Sequence, residues 1–309
     1  MRIALIGQAA FAVKALEEVE RQGDEIVHVF APADRGGRAD PLALRARERG
    51  LALSQPTSFK GDGAFQQFAA LNADLAILAF ATIIVPERIL YLPRYKSICF
   101  HPSLLPRHRG ASAINWAIIN GERETGVTWF WPDKGIDTGP ILIQKAVPIG
   151  PADTTGALYF NSLFPLGIQT LGEALQLIKT GQAPALAQDE TKASYEPPCR
   201  DEHAAVDFSQ GARAIFNLIR GCDPQPGAYA QLDGHRIRLY EAALGEATVG
   251  AGPPGTIVSL DGGGLRLALA DGSVVVKRVR VDSASSKVAP SELPPELGLA
   301  VGRQMQGGA

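Results

Sequence analysis

Cysteine is scarce in this chain of 309 residues. The three present, Cys99, Cys199 and Cys222, are odd in number and far apart. That excludes a disulfide framework, and the lack of any C-x-x-C pair removes the usual zinc motif. Free thiols suit a reducing compartment, so a cytoplasmic protein is expected. An excess of charge is also missing. Lys and Arg total 30 against 32 Asp and Glu, a net charge of −2. The chain as a whole therefore advertises no attraction to nucleic acid or to an anionic membrane, although a local patch stays open. No apolar run approaches the roughly 20 residues of a membrane span, so no membrane partner is expected. The opening MRIALIGQAAF carries one charge and an apolar run that stops at Gly7. A secretory leader needs a longer apolar core and a cleavage site, whereas this is the pattern of a buried strand. Glycine is missing where a dinucleotide fold needs it. Of G-x-G-x-x-G only Gly7 stands after the first strand, in GQAAF. A pyrophosphate then has no close approach to the backbone, and no NAD(P) is expected. There is no P-loop and no H-E-x-x-H, and no metal is expected.

What is present alternates between two periods. RIALIG (2–7), EIVHVFAP (25–32), ADLAILAF (73–80) and SICFHPS (97–103) are short apolar runs of the kind that buried strands show. AFAVKALEEVERQG (10–23) and PLALRARERG (41–50) have helical spacing, the second with Pro41 at its start and Gly50 at its end. ASAINWAIING (111–121) predicts another helix, and GVTWFWP and PILIQKAVPI predict two more strands. A long helical stretch covers 154–181, with Pro165 as a kink or a break. Such alternation predicts an α/β fold whose N-terminal domain is a Rossmann-like, doubly wound, mostly parallel sheet covered on both faces. Sites in these sheets lie at the carboxyl ends of the strands, so residues just after SICF stand where ligands bind.

Over 182–203 the text becomes polar, aperiodic and proline-containing: QAPALAQDETKASYEPPCRDEH. It reads as a linker between a first domain at 1–181 and a second at 204–309. The second opens with a helix, SQGARAIFNLIRG (209–221), and continues in strand-like runs separated by glycine-rich turns. Asp233-Gly234 and Asp271-Gly272 are hairpin signals. A smaller, OB-like C-terminal β-barrel fits this pattern. The tail GRQMQGGA is expected to fray.

The chemistry concentrates in CFHPSLLPRHRG (99–110), which holds a thiol, two histidines and two arginines in twelve residues. Pro102 keeps the backbone extended after His101, at the carboxyl end of a strand. A lone histidine in such a place is more often satisfied by a carbonyl in the core. Here a partner stands thirty-six residues on, in WPDKGIDTGPIL, where Asp133, Gly135, Asp137 and Gly139 crowd a turn between two strands. Adjacent strands of one sheet would set Asp137 beside His101. A carboxylate near an imidazole favours its charged form and fixes its tautomer, which suits a general acid–base. Aspartate in a glycine-rich turn is otherwise a turn former. His101 and His108 lack a ligand-spaced partner, which argues against a metal site.

HPSLLPRHRGASAINW followed by KGIDTGPIL at this spacing resembles the signature of the folate-dependent formyltransferase family. The likeness begins at MRIALIGQ and continues through ADPL and LFPLGIQ. It reaches LIRGCDPQPGA, which is similar to the opening of the family's C-terminal domain, and so spans nearly the whole chain. Within the family the chain most resembles the N-terminal hydrolase domains of 10-formyltetrahydrofolate dehydrogenases, and more broadly the methionyl-tRNA formyltransferases. The resemblance implies a formyltransferase catalytic domain over 1–181, an enzyme of one-carbon metabolism, and 10-formyltetrahydrofolate as co-substrate. It makes His101 the catalytic histidine, which donates to the oxyanion or shuttles a proton. It makes Asp137 the aspartate that orients the histidine and takes a proton from the nucleophile. Ile83, Ile84 and Val85, with Phe80 before them, match the loop whose backbone reads the pterin beside apolar walls. Arg107 and Arg109, with His108 between them, form a basic turn for the folate glutamate tail or an anionic acceptor. A solvated basic turn explains them equally well.

One position departs from the family pattern. Transferases of the family carry Asn-x-His, and here Cys99 replaces the asparagine. Residues two apart on a strand face the same way, so the thiol is expected to point into the site. A thiol is a weaker donor than an amide. The hydrolase domains of the dehydrogenases also lack the asparagine, which turns the expectation towards hydrolysis. Cys99 as a nucleophile activated by His101 is the lesser alternative, because buried strand cysteines are more often inert packing.

The expected function is removal of the formyl group to water, giving formate and tetrahydrofolate, or to a small acceptor. Alternatives are a methionyl-tRNA formyltransferase, an amino-sugar N-formyltransferase and a non-catalytic folate-binding protein. The presence of both His101 and Asp137 argues against the last. The tRNA enzymes carry a longer basic insertion after the second strand, where this chain has only PADRGGRADPL. Residues 204–309 hold ten Lys and Arg against ten Asp and Glu. HRIRL and KRVRV could make a local basic face, but solvent-facing strand positions explain their alternation better. A tRNA or a small amine therefore stays open as partner, and the sequence is silent on oligomeric state. No aldehyde-dehydrogenase segment is present, so NADP-dependent oxidation is not expected.

Overall fold

The computed structural model describes residues 1–34, 36–246 and 252–308. The chain divides into two compact units. The first comprises Met1–Gly110, Gly126–Val147 and Asn161–Tyr195; the second comprises Ala111–Thr125, Pro148–Phe160 and the chain from Glu196.

In the first unit one sheet takes the strands β1 (Arg2–Gly7), β2 (Glu25–Phe30), β3 (Leu53–Ser54), β4 (Leu75–Ala79), β5 (Ser97–His101), β6 (Glu124–Phe130) and β7 (Ile141–Pro148). Their order is β3-β2-β1-β4-β5-β6-β7. β1 runs parallel to β2 and β4, and β4 parallel to β5, while β6 is antiparallel to β5. Every residue of β4 is buried, as is all of β1 but Arg2. A sheet covered on both faces demands such unbroken apolar runs of its central strands. The chain winds outward from β1 to β3, then returns across β1 to start β4. Between β1 and β4 the winding reverses, so the connections leaving their carboxyl ends diverge and open a crevice.

Helix Ala9–Arg21 turns Phe11, Ala12, Ala15, Leu16 and Val19 into the core, the stripe that its 3.6-residue spacing predicts. Asp40 caps helix Pro41–Glu48 through Leu42 N at 2.8 Å, and also accepts from Ala9 N at 3.0 Å. One carboxylate thus satisfies orphan N–H groups at the starts of two helices. Phe11 stacks on Phe100 of β5 with ring centroids 4.1 Å apart. Gly167 in helix Phe164–Lys179 leaves room for these rings, since a Cβ there would stand 2.7 Å from Phe100 Cε2. The stretch 154–181 breaks where Pro165 suggested. Helix Thr155–Leu158 runs into a π-helical turn, Tyr159–Leu163, and the next helix starts at Phe164 with Pro165 in its first turn, where proline is tolerated.

The second unit carries a curled antiparallel sheet of β8 (Ala228–Leu232), β9 (His235–Gly245), β10 (Ile257–Asp261), β11 (Gly264–Leu269), β12 (Gly272–Val281) and β13 (Gln306–Gly307). The order is β10-β11-β12-β9-β8-β13. Helix Ala212–Gly221 adds Ile215, Phe216 and Ile219 to the core that Leu239, Val274 and Val276 supply from the sheet. Asp233 and Gly234 have φ of 50° and 79°, as the tight turn between β8 and β9 requires. The next signal is displaced. Leu269 pairs with Gly272, so the turn is Ala270-Asp271, one residue earlier than Asp271-Gly272. Asp271 instead caps a helix, its carboxylate accepting from Ala212 N at 2.7 Å. The tail, expected to fray, is held. Met305 is 1% exposed and its N–H donates to Gly255 O at 2.9 Å. Gln304 bridges to Thr256 just before β10, and Gln306 pairs with Gln231 of β8. The tail closes the curl between two sheet edges that would otherwise expose unpaired backbone groups. Among the described residues no helix is long and apolar enough to cross a membrane.

Candidate active site

β5 delivers Cys99 and His101 on one face, two residues apart. Cys99 pairs with Leu78 of β4 on one side and Phe130 of β6 on the other, and His101 pairs with Thr128. Beyond His101 the chain enters a tight turn. Ser103 Oγ donates to Arg107 O at 2.7 Å, and Thr128 Oγ1 donates to Ser103 O at 2.7 Å. The turn brings His108 into the left-handed region, with φ 56°. Its carbonyl oxygen lies 2.7 Å from His101 Nε2. A carbonyl only accepts, so this contact puts the ring proton of neutral His101 on Nε2 and leaves the lone pair on Nδ1. The second histidine of the motif thus serves His101 through its backbone.

Asp137 comes from the connection between β6 and β7. Asp133 builds that turn, its Oδ1 accepting from Gly135 N at 2.9 Å and Thr138 Oγ1 at 2.6 Å. Of the two aspartates, then, Asp133 is the turn former. Asp137 has φ 56°, a conformation disfavoured for residues with a Cβ. Its Oδ2 stands 3.5 Å from His101 Nδ1 and accepts from Gly110 N at 2.9 Å. His101 is 5% exposed, so the pair meets in a site largely closed to water.

Cys99 is half-buried, and its Sγ lies 3.7 Å from Phe100 O. Burial, with the nearby Asp137 charge adding to it, pushes the thiol above its ordinary value. Such a thiol stays protonated near neutrality, which makes it a poor nucleophile and a weak hydrogen-bond donor.

The loop after β4 starts at Phe80, φ 60°, which lies 6.3 Å from the ring of Phe11. Val85 is buried in the core with Phe30 and Phe59, and Ile83 packs against that core. Ile84 is 71% exposed. Ile83 also lines a cavity of about 300 Å³ with Gly7, Gln8, Phe30, Phe59 and Thr82. That cavity opens at the carboxyl ends of β1, β2 and β4, and neither His101 nor Asp137 is in its lining.

Arg107 is half-buried, whereas Arg109 is 7% exposed. The Arg109 guanidinium donates to Glu190 at 2.7 and 2.9 Å and to Gln188 Oε1 at 2.8 and 3.2 Å. Gln188, Glu190 and Ser194 were not singled out from the sequence. They stand in the aperiodic stretch 182–203, where no local pattern marks a side chain as functional. The structure brings them to the turn that carries His108 and Arg109. Among the described residues no group of three or more His, Cys, Asp or Glu is arranged to hold a metal ion.

The Formyl transferase family profile matches residues 1–166, and the profile of its C-terminal domain matches 199–289. Human mitochondrial 10-formyltetrahydrofolate dehydrogenase is 39% identical over 267 residues, which is 85% of this chain and 29% of that protein. The chain therefore spans less than a third of the length of that relative. Methionyl-tRNA formyltransferase of Trichlorobacter lovleyi is 35% identical over 298 residues, 94% of this chain and 93% of the relative. Among solved structures, HypX from Aquifex aeolicus in complex with tetrahydrofolic acid matches with a TM-score of 0.67, over 97% of this chain and 48% of its own. At 21% identity that is a likeness of fold.

Proposed function

This chain belongs to the formyl transferase family, and on that premise we propose that it removes the formyl group of 10-formyltetrahydrofolate, passing it to water or to a small acceptor. The observation that supports this reading is buried His101 facing half-buried Asp137, with the Cys99 thiol two residues from His101 on the same strand face. Water adds to the formyl carbon as Asp137 accepts its proton. His101 Nδ1, left unprotonated by the His108 carbonyl contact, relays that proton to N10 of the folate as the C–N bond breaks. Formate and tetrahydrofolate are released; with an amine as nucleophile the product is its formamide. The Cys99 thiol offers the tetrahedral oxyanion a weaker hydrogen bond than an amide would.

The backbone of Ile83, Ile84 and Val85, beside Phe80, is assigned to the pterin, which suits the exposure of Ile84 and the cavity beside Ile83. The basic turn of Arg107 and Arg109 is assigned to the glutamate tail or an anionic acceptor, with the Arg109 guanidinium oriented by Gln188 and Glu190. A cytoplasmic location is part of the proposal, supported by three free cysteines.

A second reading, formyl transfer to initiator methionyl-tRNA, draws support from the near full-length match to the Trichlorobacter enzyme. The equal numbers of basic and acidic residues over 204–309 weigh against it. Tetrahydrofolate release is followed with 10-formyltetrahydrofolate alone, then with initiator methionyl-tRNA, then with a nucleotide-linked amino sugar. Release without any acceptor is the expected result. Release only with the tRNA replaces the first reading by the second, and folate binding without turnover under every condition overturns both.

A further inference from the structure

We infer that Gln188 is a positioning residue for the reaction, holding Asp137 in the conformation that meets His101; this rests on the catalytic reading of that pair. The Gln188 side-chain amide touches both sides of the site. Its Nε2 donates to Asp137 O at 2.9 Å and to Gly139 O at 2.7 Å. Its Oε1 accepts from Arg109 Nη2 at 2.8 Å and Nε at 3.2 Å. The chemistry of the partners fixes the amide orientation, because a flipped amide would set oxygen against two carbonyls and nitrogen against a guanidinium.

Asp137 needs such support. At φ 56° Asp137 sits in the left-handed region, only mildly strained for an aspartate, and surrounding contacts are what hold such a conformation in place. Gln188 grips the backbone of residues 137 and 139, while Gly110 N binds the Asp137 carboxylate at 2.9 Å. Arg109 precedes Gly110, so one side chain links the donor strip to the strained residue. The neighbouring chain holds the other partner's turn as well. His108 N donates to Ser194 Oγ at 2.8 Å and Arg109 N to Ser194 O at 3.0 Å. Residues 188–194 therefore strap the turn whose His108 carbonyl orients His101 and the loop that presents Asp137. Gln188 touches neither catalytic side chain, so its effect falls on geometry. Misplacement of a catalytic group by about 1 Å costs up to about 100-fold in rate.

The test compares Gln188→Leu and Gln188→Glu with the unaltered protein, following tetrahydrofolate release from 10-formyltetrahydrofolate across pH, with His101→Ala and Asp137→Asn alongside. Gln188→Leu is expected to lower kcat by about tenfold to 100-fold and leave KM within about twofold. Gln188→Glu is expected to be equally impaired at neutral pH, where a carboxylate faces two carbonyls. Expressed at each pH as a fraction of the unaltered protein's kcat, which cancels the titration of Asp137, its turnover should rise as pH falls and the carboxyl at 188, beside Arg109, takes up a proton and regains a donor, a profile that loss of stability alone does not produce. Wild-type kcat in either folded variant overturns the inference, as does a Gln188→Glu profile that runs parallel to the unaltered protein. If Gln188→Leu does not fold, the Gln188→Glu profile decides. If His101→Ala and Asp137→Asn also keep full turnover, the reading of the pair has failed and this inference with it. If those two are inactive and the Gln188 variants are not, this inference alone has failed.

Discussion

His101 Nδ1 faces Asp137 Oδ2 at 3.5 Å while the opposite ring nitrogen is held 2.7 Å from the carbonyl oxygen of His108. The His108 carbonyl contact sets the orientation of the neutral imidazole and turns its Nδ1 lone pair to where Asp137 can hand over a proton it has taken up. On the proposed mechanism, loss of either side chain removes a proton carrier. His101→Ala and Asp137→Asn are each expected to lower kcat for tetrahydrofolate release by about 10²-fold to 10⁴-fold with the fold intact by circular dichroism. Retained turnover in either would sink the assigned roles.

Cys99 shares a strand face with His101, two residues away. Cys99→Asn replaces a weak donor by an amide of similar reach. Acceptor-dependent transfer is expected to rise, by up to about 100-fold where the donor meets the oxyanion. The rate of formylated product formation measures this. An unchanged rate would mean that the thiol does not limit the oxyanion site.

The three thiols should differ in reactivity. Cys199 and Cys222 lie with sulfurs 4.0 Å apart. A hydrogen bond from Cys222 favours the Cys199 thiolate and holds its pKa below the ordinary value. The same contact, with burial, raises Cys222, and burial raises Cys99. Alkylation requires thiolate. Iodoacetamide near neutral pH is therefore expected to label Cys199 first, with a half-maximal pH below that of a free thiol, and to spare Cys222 and Cys99 until pH is much higher. Peptide mass mapping over a pH series reads the order, and early labelling of Cys99 would contradict its placement.

Gly167 offers a sign reversal. Gly→Ala inside a helix ordinarily stabilises by about 0.5–1 kcal/mol. Here the new Cβ would stand 2.7 Å from Phe100 Cε2 and 2.9 Å from Phe11 Cε2, rings that are already stacked. Overpacking is expected to win, with Gly167→Ala destabilised by about 1–3 kcal/mol in urea unfolding. A gain in stability would show that the rings have space to retreat.

Much of this architecture was legible in the sequence because it rests on short-range pattern. Apolar runs of five or six residues can be buried on both faces only as central strands, and β1 and β4 are such runs. Helix Ala9–Arg21 follows from spacing, and the turn Asp233-Gly234 follows from the positive φ that its residues tolerate. His101 stood out as a candidate because it ends a buried strand beside a proline, and the structure does end that strand at His101. Asp271 and the tail were read less well. Asp271 has a second use as a helix cap, 59 residues from its partner Ala212. The tail looks like frayed chain until Met305 finds its place in the core.

The sequence by itself determined the two kinds of segment, their order, and the candidate proton-transfer residues at one sheet edge. Tertiary structure alone decided how they meet. It turned Asp137 rather than Asp133 towards His101 and gave the His108 carbonyl the task of orienting the ring. It also drew Gln188 out of an aperiodic stretch to brace Asp137. The physical reason is range. Periodicity and turn chemistry act over a few residues, whereas a hydrogen bond across 27 or 51 positions exists only once sheet order and packing have brought its partners within 3 Å of each other.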